Sequence, residues 1–267
     1  AERKRSTSRM SVAKIDDDPV LLMRALAAPL PASALVDHVE SLALAGTLRS
    51  SDSSDSSDAP IACELSRVLL RRGDTGRALV VLGTLDARAG EERALLRAEA
   101  LRRQSQPEEA LAVLADARAE SPRAWAIRAR AEWDLGLLDE ALASAAKAPA
   151  AGAAEASALV AYSRGAFDEG LRTVGDALES VSDLNERARL LGVRGMLCHG
   201  AGRSSDALDA FESAAAFAGA LGASVDEASY LTGAAAAAID VGRFDEGRHR
   251  AERAVLLWDR LGYPERS

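Results

Sequence analysis

Three histidines, two cysteines and a regular run of aspartates are the residues of this 267-residue chain whose types suit catalysis or metal binding. His38, His199 and His249 each stand apart in sequence from a plausible nucleophile. Cys198 and His199 are neighbours, but successive residues of a helix point about 100° apart and do not face each other, so no dyad is expected. Cys63 and Cys198 lie far apart and form neither a CxxC nor a Cys/His pair with metal-ligand spacing. Asp52, Asp55 and Asp58 recur at a fixed interval within the serine-aspartate run 50–58. They lack the turn glycine and the closing glutamate of an EF-hand, and the low hydrophobicity of the run reads as a flexible linker. No Walker phosphate loop, nucleophile elbow or HExxH helix occurs. The expectation is a protein that is not an enzyme, with no metal site and no cofactor.

What remains is arginine, thirty residues of it against three lysines, in a chain of net charge −8. That balance excludes a uniformly basic nucleic-acid surface, so no nucleic-acid partner is expected. No apolar run approaches the ~20 residues that span a bilayer, which argues against membrane insertion. The two scattered cysteines suggest a reducing, cytoplasmic setting. Abundant arginine and alanine point to a GC-rich bacterial genome, an inference about codons rather than function. The start, Ala1-Glu-Arg-Lys-Arg-Ser, has no initiator methionine and no apolar signal core, and reads as an expression boundary or a cut from a longer protein.

The elements that must position the arginines are helices. Aromatics are only 4% of the chain while hydrophobic residues reach 48%, much of it alanine, which has the best helix propensity and lets helix axes approach closely. A short phrase recurs: a small residue, four more residues, then a second small residue leading into a helix-forming stretch. It appears as Gly73-Asp-Thr-Gly-Arg-Ala78, Gly136-Leu-Leu-Asp-Glu-Ala141 and Gly165-Ala-Phe-Asp-Glu-Gly170, and again from Ser105, Gly202 and Gly242. The intervals between first residues are 32, 31, 29, 37 and 40 positions, a near-constant period that marks stacked supersecondary units. Glycine can close a helix with positive φ, and the acids that follow suit the positive end of the next helix. The second small residue lets the two helices of a hairpin touch.

This phrase resembles the turn of the tetratricopeptide (TPR) repeat, whose period is ~34 residues. Trp125 falls at the family's first-helix aromatic position, Gly195 at its mid-helix glycine, Phe211 at its second-helix aromatic and Pro122 at its repeat-closing proline. The resemblance covers roughly residues 60–262 and implies an all-α, right-handed solenoid of antiparallel helix pairs, about six repeats plus N-terminal helices. The expected pairs are 61–72 with 75–87, 91–104 with 107–120, 122–135 with 138–147, 152–164 with 167–180, 183–201 with 204–221, and 225–241 with 244–261. The chain then divides into a disordered or tag-like segment 1–16, N-terminal helices in 17–49, the loop 50–59 and the array 60–267. The longer last repeats are similar to arrays attached to bacterial signalling ATPases, kinases and transcription regulators.

In this family the inward face is built by the first helix of each pair. Carried onto this sequence, its positions include Arg67 and Arg71, then Glu99, Arg102 and Arg103, then Arg123, Arg130, Trp133 and Asp134. Later repeats add Tyr162, and then Arg189, Met196 and His199. The resemblance thus implies a scaffold that binds a protein or peptide through Arg67, Arg71, Arg102, Arg103, Arg123, Arg130, Trp133, Tyr162, Met196 and His199. Another domain of the same parent protein is an equivalent partner, and a ligand-sensing regulatory domain is the alternative function. Arginines gathered without full acidic pairing imply an anion, hence an acidic partner. The competing expectation is that they are solvated and paired with Glu99 and Asp134, since residues 60–135 hold thirteen arginines against twelve acids.

Overall fold

The computed structural model describes residues 19–28, 31, 33–44, 58–85 and 90–262. The expected segment 1–16 and residues 50–57 of the serine-aspartate loop lie outside them. The described residues form fourteen helices and no strand. Two short ones, α1 (Pro19–Leu26) and α2 (Ser33–Leu44), precede six hairpins. These are α3 (Asp58–Arg72) with α4 (Thr75–Thr84), α5 (Gly90–Arg103) with α6 (Pro107–Asp116), and α7 (Pro122–Asp134) with α8 (Leu138–Ala145). They continue as α9 (Ala150–Ser163) with α10 (Phe167–Ser180), α11 (Leu184–Gly200) with α12 (Ser204–Ala220), and α13 (Ser224–Asp240) with α14 (Phe244–Leu261). The chain is an all-α solenoid of antiparallel helix pairs. Helix α3 starts at Asp58, inside the expected loop, and α4 and α6 end three to four residues early.

The turn phrase does what its residue types dictate. Gly136 has φ +75° with nothing near the position of a side chain, so the left-handed backbone alone selects glycine there. Ser105 holds the same place at φ +61° without that freedom. The second small residues are buried, among them Ala78, Ala110, Ala141 and Ala207 at 0% exposure. At Gly170 an added Cβ would lie 2.7 Å from Leu197 and 3.3 Å from Ala161, so the helices cross where only glycine fits. The family landmarks also meet: Phe211 of α12 lies 2.6 Å from where a Cβ of Gly195 on α11 would be. Pro122 opens α7, with the Ser121 side chain capping the Ala124 N–H.

Each hairpin buries its apolar stripe against its neighbours. Leu22 and Leu26 of α1 and Val36 and Val39 of α2 share one core with Leu65 and Leu69 of α3 and Val81 and Leu82 of α4. Burying each such side chain stabilises the fold by roughly 1.5–3 kcal/mol.

The superhelix curls until its last repeat meets its first. Val225, in the first turn of α13, packs onto Gly73 in the turn between α3 and α4, so closely that a Cβ on Gly73 would sit 2.4 Å from it. Leu261 of α14 approaches the same glycine. Beside this contact, Arg103 of α5 reaches Asp226 of α13 at 3.7 Å. The inner face is therefore a curved wall that returns on itself around a cavity.

Candidate functional site

The inner wall is built by α3, α5, α7, α9 and α11, whose side chains form a ladder of opposite charges. Arg67 bonds Glu64, one turn away, and Glu92 of the next repeat at 2.8 Å. Glu92 also takes Arg123 at 2.7 Å. Glu99 accepts from Arg102 at 3.2 Å and Arg103 at 2.8 Å, while Arg102 reaches on to Asp134 at 3.1 Å. Arg130 lies between Glu99 at 3.5 Å and Glu155 at 3.9 Å, and Glu155 accepts from Arg189 at 3.1 Å. Acids thus neutralise arginines both within a helix and across neighbouring repeats in either direction.

This geometry corrects the expectation of unpaired arginines. Six of the seven inner arginines have acidic partners, and the Arg102 bonds to Glu99 and Asp134 match the competing expectation, although these groups are largely buried rather than solvated. The exception is Arg71, half-buried in the last turn of α3, which has no hydrogen bond or ion pair among the described residues.

Burial raises Glu99, but Arg102, Arg130 and Arg103 outweigh it and hold its carboxyl well below the usual range. Glu155 is likewise raised by burial and lowered further by Arg189 and Arg130. Arg130 moves down, because burial exceeds the help of two acids that it shares with other arginines. Arg71 also moves down, through burial that Glu64 offsets only in part and that Arg72 and Arg67 reinforce. Tyr230 is pushed up by burial and by Asp226 and Glu155.

The wall encloses a half-open cavity of about 430 Å³, lined by Arg67, Arg71, Arg103, Arg123, Arg130 and Arg189 on its charged side. Its apolar side comes from Leu70, Leu95, Ala126, Ala218, Leu221 and Ala223. A smaller cavity of about 170 Å³ adjoins it, lined by Arg102, Trp133, Met196 and Tyr230 among others. Of the ten residues singled out from the sequence, eight line these two spaces.

Tyr162 and His199 line neither. The Tyr162 ring packs edge-on against Phe167 with centroids 6.0 Å apart, within the core between α9 and α10. His199 is exposed and faces Asp240 at 3.5 Å. Trp133 keeps its place in the wall, but its indole N–H is already committed to the Ser163 hydroxyl at 2.9 Å and the Leu159 carbonyl at 3.1 Å.

Sequence reasoning missed Glu155 and the contribution of the α12–α13 turn. Glu155 carried a usable signal, since it is the lone charge in a helix of small and apolar residues, a pattern that burial tolerates only with a cationic partner. The α12–α13 turn carried none, because its place beside the first repeat depends on the closure of the superhelix.

Neither family models nor curated proteins give a match to the sequence. Solved structures do, through the fold. A Rap protein complexed with Competence and Sporulation Factor aligns over 94% of this chain and 77% of its own, with a TM-score of 0.64 and 13% identity. The Cut9–Hcn1 hetero-tetramer of APC/C aligns over 92% of this chain and 47% of its own, at 0.59 and 12%. A tetratricopeptide repeat protein from Parabacteroides merdae aligns over 94% and 98%, at 0.53 and 15%. At such identities the likeness establishes the tetratricopeptide-like fold and nothing finer.

Proposed function

From a tetratricopeptide-like superhelix with an arginine-lined interior, we propose that the chain is an interaction module that captures a peptide or a segment of another protein on its inner face. The observation that carries this reading is the half-open cavity bounded by the first helices of successive repeats, with arginines along one side and apolar residues along the other. Guanidinium groups fork onto carboxylates, and small apolar side chains admit a backbone. The Rap protein of the same fold is complexed with Competence and Sporulation Factor, and Cut9–Hcn1 is a hetero-tetramer, which supports a binding role for such a superhelix.

A second reading, a ligand-sensing regulatory domain, draws on the closure. Val225 on Gly73 and Asp226 on Arg103 tie the last repeat to the first and second beside the cavity, so a ligand that displaces either contact would change the shape of the whole chain.

The test is selection of peptides from a random library on the immobilised chain, followed by amide hydrogen exchange of the complexes. Capture on the inner face protects α3, α5, α7 and α11 and weakens with added salt, because exposed charges are screened over ~8–10 Å near physiological ionic strength. Protection confined to α4, α6, α8 and α10 would place binding on the outer surface.

A further inference from the structure

Pairing within the ladder leaves a specific residue of charge. Arg67, Arg102, Arg103, Arg123, Arg130 and Arg189 are matched by Glu64, Glu92, Glu99, Asp134, Glu155 and Asp226. Two further acids in the cavity lining, Asp183 and Glu186, belong to the start of α11. There the Asp183 carboxylate caps the Glu186 N–H at 2.9 Å, and Glu186 lies in the first turn, at the positive end of the helix. Arg71 remains. Its guanidinium carries five donors in a planar fork, and none of them meets an acceptor among the described residues, although the side chain is half-buried and opens on the cavity.

The surroundings of Arg71 define what else the occupant carries. Because the superhelix closes, Ala218 of α12 and Leu221 and Ala223 of the turn into α13 line the same cavity as Leu70 and Arg71 of α3. This side offers apolar surface and no second unpaired cation. A polyacidic ligand would find one free partner and then compete with Glu92, Glu99 and Glu155 for arginines already bonded. An uncharged ligand would leave the Arg71 donors unmet. A volume of about 430 Å³ lies within the range of small-molecule pockets.

We infer that the cavity binds a small monocarboxylic acid, its carboxylate forked onto the Arg71 guanidinium and its apolar body against Ala218, Leu221 and Ala223. The inference rests on the reading that the inner face is the binding surface, and it supplies the chemical class of a ligand for that face. The bond is a charge-assisted, two-pronged one in a partly desolvated site, where such pairs are strongest.

Calorimetric titration of the full chain with octanoate, 1-octanol and acetate tests it. Octanoate carries both features, 1-octanol only the body and acetate only the charge. Octanoate is expected to bind at least about tenfold more tightly than either, a difference worth ~1.4 kcal/mol. Arg71→Gln should weaken octanoate about tenfold and leave 1-octanol unchanged, and Arg71→Lys should restore part of the loss. Arg71 has no partner to lose, so a circular-dichroism spectrum like that of the parent is expected for Arg71→Gln. Equal affinity for octanoate and 1-octanol, or octanoate binding indifferent to Arg71→Gln, overturns the inference. Library peptides that protect the inner face while octanoate fails to bind would overturn this ligand class and leave the capture reading standing. Octanoate behaving as expected while no peptide binds would overturn peptide capture alone.

Discussion

Arg130 shows how the inner wall divides its side chains between stability and binding. Its side chain is 13% exposed and sits between two glutamates that it shares with other arginines. Removing it leaves Glu99 with Arg102 and Arg103 and Glu155 with Arg189, so neither buried carboxylate is unpaired and Arg130→Ala should cost about 1–3 kcal/mol in urea unfolding. Parental stability would show that the ladder does not hold together as described. The same network sets the acid response. The Glu99 carboxyl is depressed in the folded chain, so its contribution is complete above the unfolded glutamate value of about 4.3 and is lost as pH falls toward the folded value. Glu99→Gln should therefore flatten the fall in melting temperature between about pH 5 and pH 3, and an unchanged slope would remove Glu99 from the account. Positions along the first helices were legible in the sequence because the repeat phrase sets their register. Glu99 was legible as a partner of the arginines one turn away, whereas the pairings of Glu92 and Glu155 were not, since they act across repeats at separations that no local pattern encodes.

Among the elements, the turn phrase was the most legible feature, because a backbone constraint is local and glycine is its cheapest solution. Gly136 and Ser105 occupy equivalent turns, at φ +75° and +61°. Gly136→Val should cost about 1–2 kcal/mol, since nothing crowds the site and only the left-handed backbone resists a β-branched residue. Ser105→Gly should move the other way, by several tenths up to about 1 kcal/mol. Urea unfolding of the two variants checks the pair, and shifts of the same sign would show that the turns are not alike. Helix ends were read less well in α4 and α6. In α6 the helix closes at Arg118, a non-glycine residue at φ +48°, which no residue type in the sequence announces.

At the scale of the whole molecule, the closure of the superhelix was not legible at all. Each repeat adds a small rotation, and the sum over six decides whether the ends meet. Repeat lengths from 29 to 40 residues leave that sum open. The contact is narrow: Val225 rests on Gly73 beside Leu261, and Arg103 reaches Asp226. Val225→Asp places a charge in the apolar part of this contact and should open the chain, raising the radius of gyration in small-angle X-ray scattering while helix content stays constant. An unchanged radius would show that other contacts hold the curvature. Closure is also what joins the arginine side of the cavity to the apolar α12–α13 turn, so the proposed chemistry of the interior depends on it.

The most direct test of the inner face as the binding surface compares two charge reversals against one library-selected peptide. Arg123 lines the cavity with 57% of its side chain exposed, so Arg123→Glu changes the wall without burying a new charge. Arg172 is exposed on α10, outside the cavity, and serves as the outer control. The account predicts that Arg123→Glu weakens the peptide by about tenfold or more while Arg172→Glu leaves its affinity within about twofold of the parent. Loss of binding in Arg172→Glu with parental affinity in Arg123→Glu would contradict it.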